Sequence, residues 1–583
     1  MSGKEIVKEN IIKLFEELAT LLELKGENPF KSQAYTNAAR LLAQFEGDLS
    51  EAVQDRSLLD HKGIGKAIFE KISEIMETGK LTALEKIRAE IPSGLMEMLK
   101  IKGLGTQKIR TLYQELGIKD IVELEYACIE NRLIDLPGFG KKTQEMIQEK
   151  IPYLKKIAGL LHCHTARVEA EKLLDFLRQD KSIIRVSLAG GLRRRSEVVE
   201  EIDLIASTDD PSALMEKFRQ SPEIDKEITY VGEAEQELKR KKFSFFTESG
   251  MFVNIHVVPD EQFPYMLHEH SGSQAYQQAI SDKAHRMGMK VCGFGLILDD
   301  HILPCKSEED IFSTLELDYI EPELRENTGE IEAAAEQALP VLIEERDIRG
   351  IFHVHSHYSD GTTSLSGMVG AAERLGYQYI GISDHSQTAV YANGLTKEQI
   401  KKQHEEIDRL QKQYPSIHIF KGIESDILPD GTLDYDEGTL SSFDFVIASV
   451  HSNFNMSEKD MTWRILRAMR HPSVTILGHP TGRILLAREG YPLNLPEVIE
   501  AAREHKVVIE LNASPYRLDL DWIHCKMAKM AGVRVSINPD AHGIEGLSNM
   551  RHGVGIARKG WLSKEDVLNT LPLNEITGYL KNK

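Results

Sequence analysis

In the last 235 residues of this chain, apolar strand-like runs keep ending on the same kind of residue. The runs GIFHVHS, YIGISDH, IFKGIES, DFVIASVH, VTILGHP, VVIELNAS and VRVSINPDAH carry His353, His385, Glu424, His451, His479, Asn512 and Asp540 at their ends, one every 27 to 39 residues. One strand, one helix and two short loops consume that length. The pattern therefore reads as a repeated β-α unit with a polar side chain at the C-terminal end of each strand. Seven such units predict a distorted (β/α)7 barrel with its active face at the strand ends.

His353 and His355 are two apart, so an extended backbone points both the same way, and Asp540 and His542 repeat the spacing at the last strand. With Asp360, His385, Glu424, His451 and His479 they make nine nitrogen and oxygen donors for divalent cations at one barrel mouth. Nine donors exceed the needs of one ion. Three four-to-five-coordinate ions are expected, with Glu424, central in order, as the bridge. The lack of a thiolate favours Zn²⁺ or Mn²⁺. Taken singly, such histidines would read as satisfied core residues; their common period favours metal chemistry. A cluster of this kind lowers the pKa of a bound water and neutralises charge on a phosphoryl group, which makes phosphoester hydrolysis the expected reaction class. His353, His355, Glu424, His451, Asp540 and His542 are the expected catalytic set, with Arg483 in HPTGR as a phosphate clamp.

At 583 residues the chain is long enough for roughly four domains. Apolar residues are 41% and charged residues 28%, which excludes a disordered or collagen-like chain. No apolar run approaches the roughly 18 residues of a membrane span, and MSGKEIVKEN lacks the order of a signal peptide. A cytoplasmic monomer without a membrane partner is expected. The five cysteines lie far apart, so no disulfide framework is readable. A net charge of −20 argues against nucleic acid until its distribution is examined: residues 1–160 hold 24 basic against 25 acidic residues, so the negative charge falls almost wholly after them.

That near-neutral region carries three copies of one device: DHKGIGKAIFEKISEI around Gly63 and Gly65, IKGLGTQKIRTLYQEL around Gly103 and Gly105, and LPGFGKKTQEMIQ around Gly138 and Gly140. Each is a Gly-apolar-Gly turn leading into an amphipathic helix, with Lys66, Lys108, Lys141 and Lys142 just after the glycines. Paired glycines let successive N–H groups point outward at a helix start, where the dipole also favours an anion. One such turn is usually a plain connection; three predict a phosphate grip. They are similar to the helix–hairpin–helix motif, which holds the DNA backbone without reading sequence, and a monovalent cation at the hairpins is a further expectation of that resemblance.

Residues 160–320 alternate helices and strands, clearest at 183–190, 200–207 and 252–259. AGGLRRRSEVVEEIDLI (189–205) is a strand, a Gly-Gly turn, a basic helix start and a second strand with acids two apart. That layout puts a triphosphate near Gly190, Gly191 and Arg194 and a weakly held Mg²⁺ on Glu201 and Asp203. The Glu-rich stretch 317–349, with Pro322 and Pro340, reads as a partly helical connector.

The runs HVHSHYSDG, SDH, GIES, ASVH, GHPTGR and NPDAH closely resemble the polymerase-and-histidinol-phosphatase domain. By that resemblance His353, His355, Glu424 and Asp540 would hold one ion, Glu424, His451 and His479 a second, and Asp360, His385 and His542 a third. End to end, the order of hairpins, nucleotidyltransferase palm, SGS turn (271–273) and C-terminal barrel is similar to the bacterial X-family DNA polymerase/3′–5′ exonucleases. The expected organisation is multidomain α/β. An all-α helix–hairpin–helix region (1–90 and 91–160) precedes an α+β palm (161–260) and thumb (261–320), a linker (321–348) and the barrel (349–583). The implied partner is gapped, nicked, 3′-ended or abasic DNA, with dNTP bound weakly.

The palm departs from that family's pattern. The family's paired aspartates are Glu201 and Asp203 here, the third is Asn254, a phosphate-contacting serine is Gly191, and Glu200 stands where animal members have glycine. An aromatic pair before the SGS turn is replaced by Glu269 and His270. Two-ion phosphoryl transfer needs about three carboxylates. A 3′–5′ exonuclease with impaired templated synthesis is the leading expectation. An active gap-filling polymerase, a small-molecule phosphatase and a non-catalytic DNA scaffold are the competing readings.

Overall fold

The computed structural model describes residues 3–45, 47–61, 63–129, 132–134, 136–157, 159–210, 214, 229–230, 241–247 and 250–583. The chain divides into two compact units, 1–158 and 159–583. No helix among the described residues is long and apolar enough to cross a membrane.

The first unit is helical, and its three glycine turns are the same turn. Ile64 N donates to His61 O, Leu104 N to Ile101 O and Phe139 N to Leu136 O, at 3.0, 2.9 and 3.0 Å. The first glycine of each has positive φ (+111°, +98° and +81° at Gly63, Gly103 and Gly138), which a side chain would resist. Ile64 and Leu104 bury into the helical core, and the helices Lys66–Thr78, Thr106–Leu116 and Lys141–Ile157 follow. At the first two helices no side chain caps the start, which leaves N–H groups free for an anion.

In the second unit, four strands, β1 (Ile183–Leu188), β2 (Ile202–Thr208), β3 (Lys241–Phe246) and β4 (Phe252–Val258), form a sheet in the order β1-β2-β4-β3, extended by Thr229–Tyr230. β2 and β4 are parallel with Asp203 beside Asn254, and β3 sets Ser244 beside Asn254 from the other side. Helices Phe263–Glu269 and Gln274–Arg286 and a small antiparallel sheet follow as the thumb.

Residues 321–348 are no loose connector. Leu324, Ile331 and Ala334 join the thumb core, Arg325 is fully buried on Glu308, and Glu323 pairs with Arg558 of the barrel at 2.7 Å. Its charges are paired with the thumb on one side and the barrel on the other, which binds the segment on both sides.

Seven parallel strands, β5 (Gly350–Val354), β6 (Tyr379–Ile382), β7 (His418–Asp426), β8 (Phe445–Ser449), β9 (Val474–Leu477), β10 (Val508–Asn512) and β11 (Val535–Asn538), pair in chain order. A bridge from Val354 to Ala541 brings first and last together, giving the nearly closed (β/α)7 barrel expected. Alternation along a strand gives the interior two layers. On β7, Phe420, Gly422, Glu424 and Asp426 share one face; on β10, Val508, Glu510 and Asn512 do. Phe352, Phe420, Phe445, Ile447, Ile476 and Val508 plug the lower layer. Gly422 makes room, since a Cβ there would lie 2.1 Å from the Phe445 ring. The layer above is polar.

Candidate metal centre and palm site

Seven of the nine expected donors are buried or nearly so, with Asp360 and His542 on the open edge. They fall into four overlapping groups whose donor atoms lie within 4.8 Å of one another: His355, Asp360, His385 and His542; His353, His355 and Asp540; His353, Glu424 and His479; and His385, Glu424 and His451. Glu424 is the hub, with His385 Nδ1 at 2.8 Å, His479 Nε2 at 2.9 Å and His353 and His451 Nε2 each at 3.2 Å. The grouping differs in detail from the partition by resemblance: His385 also faces Glu424 and His451, and His479 pairs with His353.

The route to this geometry differs from the sequence expectation as well. His353 has φ +58° and Asp540 φ +48°, and Asp540 lies beyond the end of β11. Strand alternation therefore does not align the 353/355 and 540/542 pairs; left-handed backbone does. His479 is also left-handed, at φ +24°. Three non-glycine residues held in a sparsely populated region at one cluster are strain concentrated at a site.

Three acids or carbonyls behind the cage set the imidazole tautomers. Glu510 Oε1 lies 2.6 Å from His353 Nδ1, Asp426 Oδ1 2.5 Å from His451 Nδ1 and the Asp540 carbonyl 3.0 Å from His542 Nδ1. A carboxylate or carbonyl only accepts, so each Nδ1 carries a proton, and Nε2 is the atom that would give its lone pair to a cation in the cage once its own proton is displaced. Glu510 also accepts from the His479 backbone N at 2.6 Å and from Asn538 at 2.8 Å. Sequence reasoning missed Glu510 and Asp426, each an acid two residues from a recognised strand-end residue.

Burial penalises charge throughout, but the neighbours decide the outcome. Burial opposes the charged forms of His353 and His451, yet Glu510, Asp540 and Glu424 hold His353 well above 6.5, and Glu424 and Asp426 raise His451 to about 10. Despite burial, the surrounding histidines keep Glu424 and Asp540 well below the usual carboxylate range. Burial and the neighbouring His385 press His355 down to about 3. His353 Nε2, His355 Nδ1, His385 Nδ1, His479 Nδ1 and Glu424 Oε2 are buried, and although His385 Nδ1 and His353 Nε2 lie close to Glu424, none of the five atoms is in a well-directed hydrogen bond among the described residues. Buried donors and acceptors rarely stay unmatched, and five such atoms around one carboxylate hub fit divalent cations.

Arg483 is a correction. Its guanidinium holds Glu197 at 3.0 Å and the carbonyls of Arg517 and Leu518, so it ties a palm-side loop to the barrel and is not a free phosphate clamp. The guanidinium beside the cage belongs to Arg517, with Nε 3.7 Å from Asp540 Oδ2.

In the palm, Asn254 Nδ2 donates to Glu201 Oε2 at 2.6 Å and to Asp203 Oδ1 at 3.2 Å, while Ser244 Oγ donates to Asn254 Oδ1 at 2.7 Å. Burial and then Glu201 push Asp203 up to about 6. Gly190, at φ +58°, lies so close that a Cβ would meet Asp203 Oδ2 at 2.3 Å, and Gly191 would meet Val199 at 2.8 Å. Arg194, expected on a triphosphate, is a second correction: it pairs with Glu326 at 3.0 Å, and Lys559 joins the same carboxylate. Arg193 is held likewise by Ser271 and Glu308.

Family models match four segments: a helix-hairpin-helix domain (7–81), a SAM-like helix-hairpin-helix tandem (95–151), a DNA polymerase beta thumb (266–326) and a PHP domain (352–514). The chain is 39% identical over 576 residues to the DNA polymerase/3′-5′ exonuclease PolX of Bacillus subtilis (strain 168), covering 98% of this chain and 99% of that protein. A probable phosphatase of Thermoanaerobacter sp. (strain X514) is 30% identical over 184 residues, 30% of this chain and 72% of its own. Another, of Caldanaerobacter subterraneus subsp. tengcongensis, is 28% identical over 254 residues, 40% of this chain and 93% of its own.

Proposed function

The chain belongs to the bacterial X-family DNA polymerase/3′–5′ exonucleases, and from that premise we propose that it acts chiefly as a metal-dependent 3′–5′ exonuclease, with impaired templated synthesis. The observation that carries the reading is a contrast within one chain. The barrel cage keeps nine donors with five buried atoms unmatched, whereas in the palm a neutral amide lies between the two remaining carboxylates.

Divalent ions in the cage, three Zn²⁺ or Mn²⁺, would supply Lewis acidity toward water and counter-charge toward the phosphoryl oxygens. The protein's own part is to hold and orient. Glu510 and Asp426 fix the histidine tautomers, Glu424 gives the cage its centre, and Arg517 adds positive charge beside Asp540 where a phosphodiester would be drawn in. Asp360 and His542 form the open edge through which a 3′ end reaches the donors. The glycine turns of the helical unit would grip the backbone of gapped, nicked, 3′-ended or abasic DNA through Gly63, Gly65, Lys66, Gly103, Gly105, Lys108, Gly138, Gly140 and Lys141, with a monovalent cation at the hairpins. Mg²⁺ and dNTP would bind the palm weakly, and the enzyme would work as a cytoplasmic monomer.

Gap-filling synthesis is the second reading. It is favoured by the adjacency of Glu201 and Asp203 and by the close approach that Gly190 still permits. An end-labelled gapped duplex, with Zn²⁺, Mn²⁺ or Mg²⁺ and with or without dNTPs, separates the two. Shortening that depends on Asp540 is expected; lengthening that depends on Asp203 would overturn the reading.

A further inference from the structure

Above the cage, residues 386–395 form a small loop that is fastened at every position except its tip. At its base Ser386 bridges to Leu395, Gln387 N donates to the Tyr435 hydroxyl at 3.1 Å, and Thr388 N donates to Asp434 at 2.7 Å. Thr388 Oγ1 donates at 3.0 Å to Asp426 Oδ2, the same carboxylate whose other oxygen orients His451. Ala389 and Ala392 are buried, the chain turns through left-handed Asn393 at φ +55°, and a Cβ on Gly394 would stand 1.8 Å from the Ser386 carbonyl. The tip left over is Val390 and Tyr391, 79% and 70% exposed.

One exposed apolar side chain asks for no explanation. The position of this tip does. The Tyr391 ring centroid is 6.2 Å from that of His385 and 6.4 Å from that of His451, both cage donors. Arg517 flanks the opposite donor, Asp540. Arg488 stacks on Phe454 at 4.4 Å, and its pKa is lowered by burial and by Arg517 nearby. An aromatic face, adjacent cationic side chains and a phosphate-seeking cage within one short span are the elements of a nucleotide site. Aromatic stacking on a base is worth about 1–3 kcal/mol and tolerates every base, because every base has a π-face. A loop anchored this firmly pays little ordering entropy when a ring lands on it.

We propose that Tyr391, backed by Val390, is the stacking platform for the nucleobase of the 3′-terminal nucleotide, holding it while its phosphodiester lies at the cage. This rests on the hydrolytic reading above and adds what selects the end: the enzyme recognises a terminal nucleotide by its base as well as by its phosphate. Tyr391 is a positioning residue; the cage performs the chemistry.

The test uses two single-stranded oligonucleotides of one sequence, one ending in a normal 3′ nucleotide and one in a tetrahydrofuran abasic analogue, with the full-length protein. Tyr391→Ala should raise KM about tenfold on the base-bearing end, with kcat changed less than about twofold, and should shift KM on the abasic end by no more than about twofold. Tyr391→Phe should restore the wild-type values. Independently of turnover, 2-aminopurine at the 3′ end should be quenched on binding chelator-treated wild type and markedly less on binding Tyr391→Ala. Equal KM increases on both ends, or quenching that survives the substitution, would overturn the platform. If wild type hydrolyses neither oligonucleotide with any divalent ion, the hydrolytic reading fails, while the quenching comparison still decides whether Tyr391 stacks a base.

Discussion

Asn254 donates its side-chain amide to Glu201 at 2.6 Å and to Asp203 at 3.2 Å, so a neutral amide bridges the two carboxylates that two-ion phosphoryl transfer would use. Asn254→Asp removes that donor and adds a third carboxylate. In the absence of divalent ions the three acids repel, and the variant should lose about 1–3 kcal/mol of stability. With Mg²⁺ or Mn²⁺ the loss should reverse, and primer extension should rise at least tenfold above wild type. Melting curves with and without Mg²⁺, alongside extension of a gapped primer, check both halves. Unchanged extension would mean that Asn254 does not limit synthesis, and Arg194, held by Glu326, would be the next residue to test.

Glu510 receives His353 Nδ1, the His479 backbone N and Asn538 on one carboxylate, none of them solvent-exposed. A glutamine of the same shape must present an N–H to at least one of these donors. Glu510→Gln should therefore leave the barrel folded but cost about 10–100-fold in metal affinity or hydrolytic rate. Zn²⁺ or Mn²⁺ titration by calorimetry reads the affinity, and circular dichroism confirms the fold. Asp426→Asn should act in the same direction through His451, and an undiminished affinity in both would remove the orienting role.

The nine cage residues were legible because barrel chemistry concentrates at strand ends, and strand ends recur with a period that sequence displays. How they converge was not legible. Alternation predicts parallel side chains at 353 and 355, yet His353 and Asp540 reach the cage through left-handed backbone, which no residue preference announces for histidine or aspartate. Glu510 looked like one acid in an apolar strand; only the fold shows His353, the His479 backbone and Asn538 aimed at it. Arg483 and Arg517 were indistinguishable in sequence, because a guanidinium is a clamp or a tie according to which carboxylates and carbonyls the tertiary structure brings to it. Residues 321–348 are partly helical, as their sequence reads, but that Arg325 is a buried partner of Glu308 is visible only in the fold.

That pair gives the thumb an acid sensitivity. Burial disfavours the Glu308 carboxylate, but Arg325 at 2.6 Å and Arg193 at 2.5 Å outweigh it and bring its pKa to about 2, from 4.5. Because the folded value lies below the unfolded one, the stabilisation is complete above about pH 4.5 and drains away as pH falls toward 2. The shift corresponds to on the order of 3 kcal/mol. Glu308→Gln should melt several degrees below wild type at pH 7 and approach it as pH falls to 3. A gap independent of pH would mean that the pair acts through shape and not charge.

The glycine turns differ in how their lysines are placed, and the difference is measurable. Lys66 and Lys141 are exposed at helix starts, whereas Lys108 folds back, with Nζ 3.2 Å from the Gly103 carbonyl and 5.7 Å from the Phe139 ring centre. A lysine that neutralises a phosphate releases a counterion, and its removal should lower the slope of log K against log salt by about 1. Lys66→Ala and Lys141→Ala should each do so on a gapped duplex, with weaker binding at low salt. Lys108→Ala should change the slope less and instead loosen the turn, because its ammonium is spent on the Gly103 carbonyl and the Phe139 face. Fluorescence anisotropy between 50 and 200 mM salt distinguishes them. Equal slopes in all four proteins would mean that the turns hold DNA through backbone N–H groups alone.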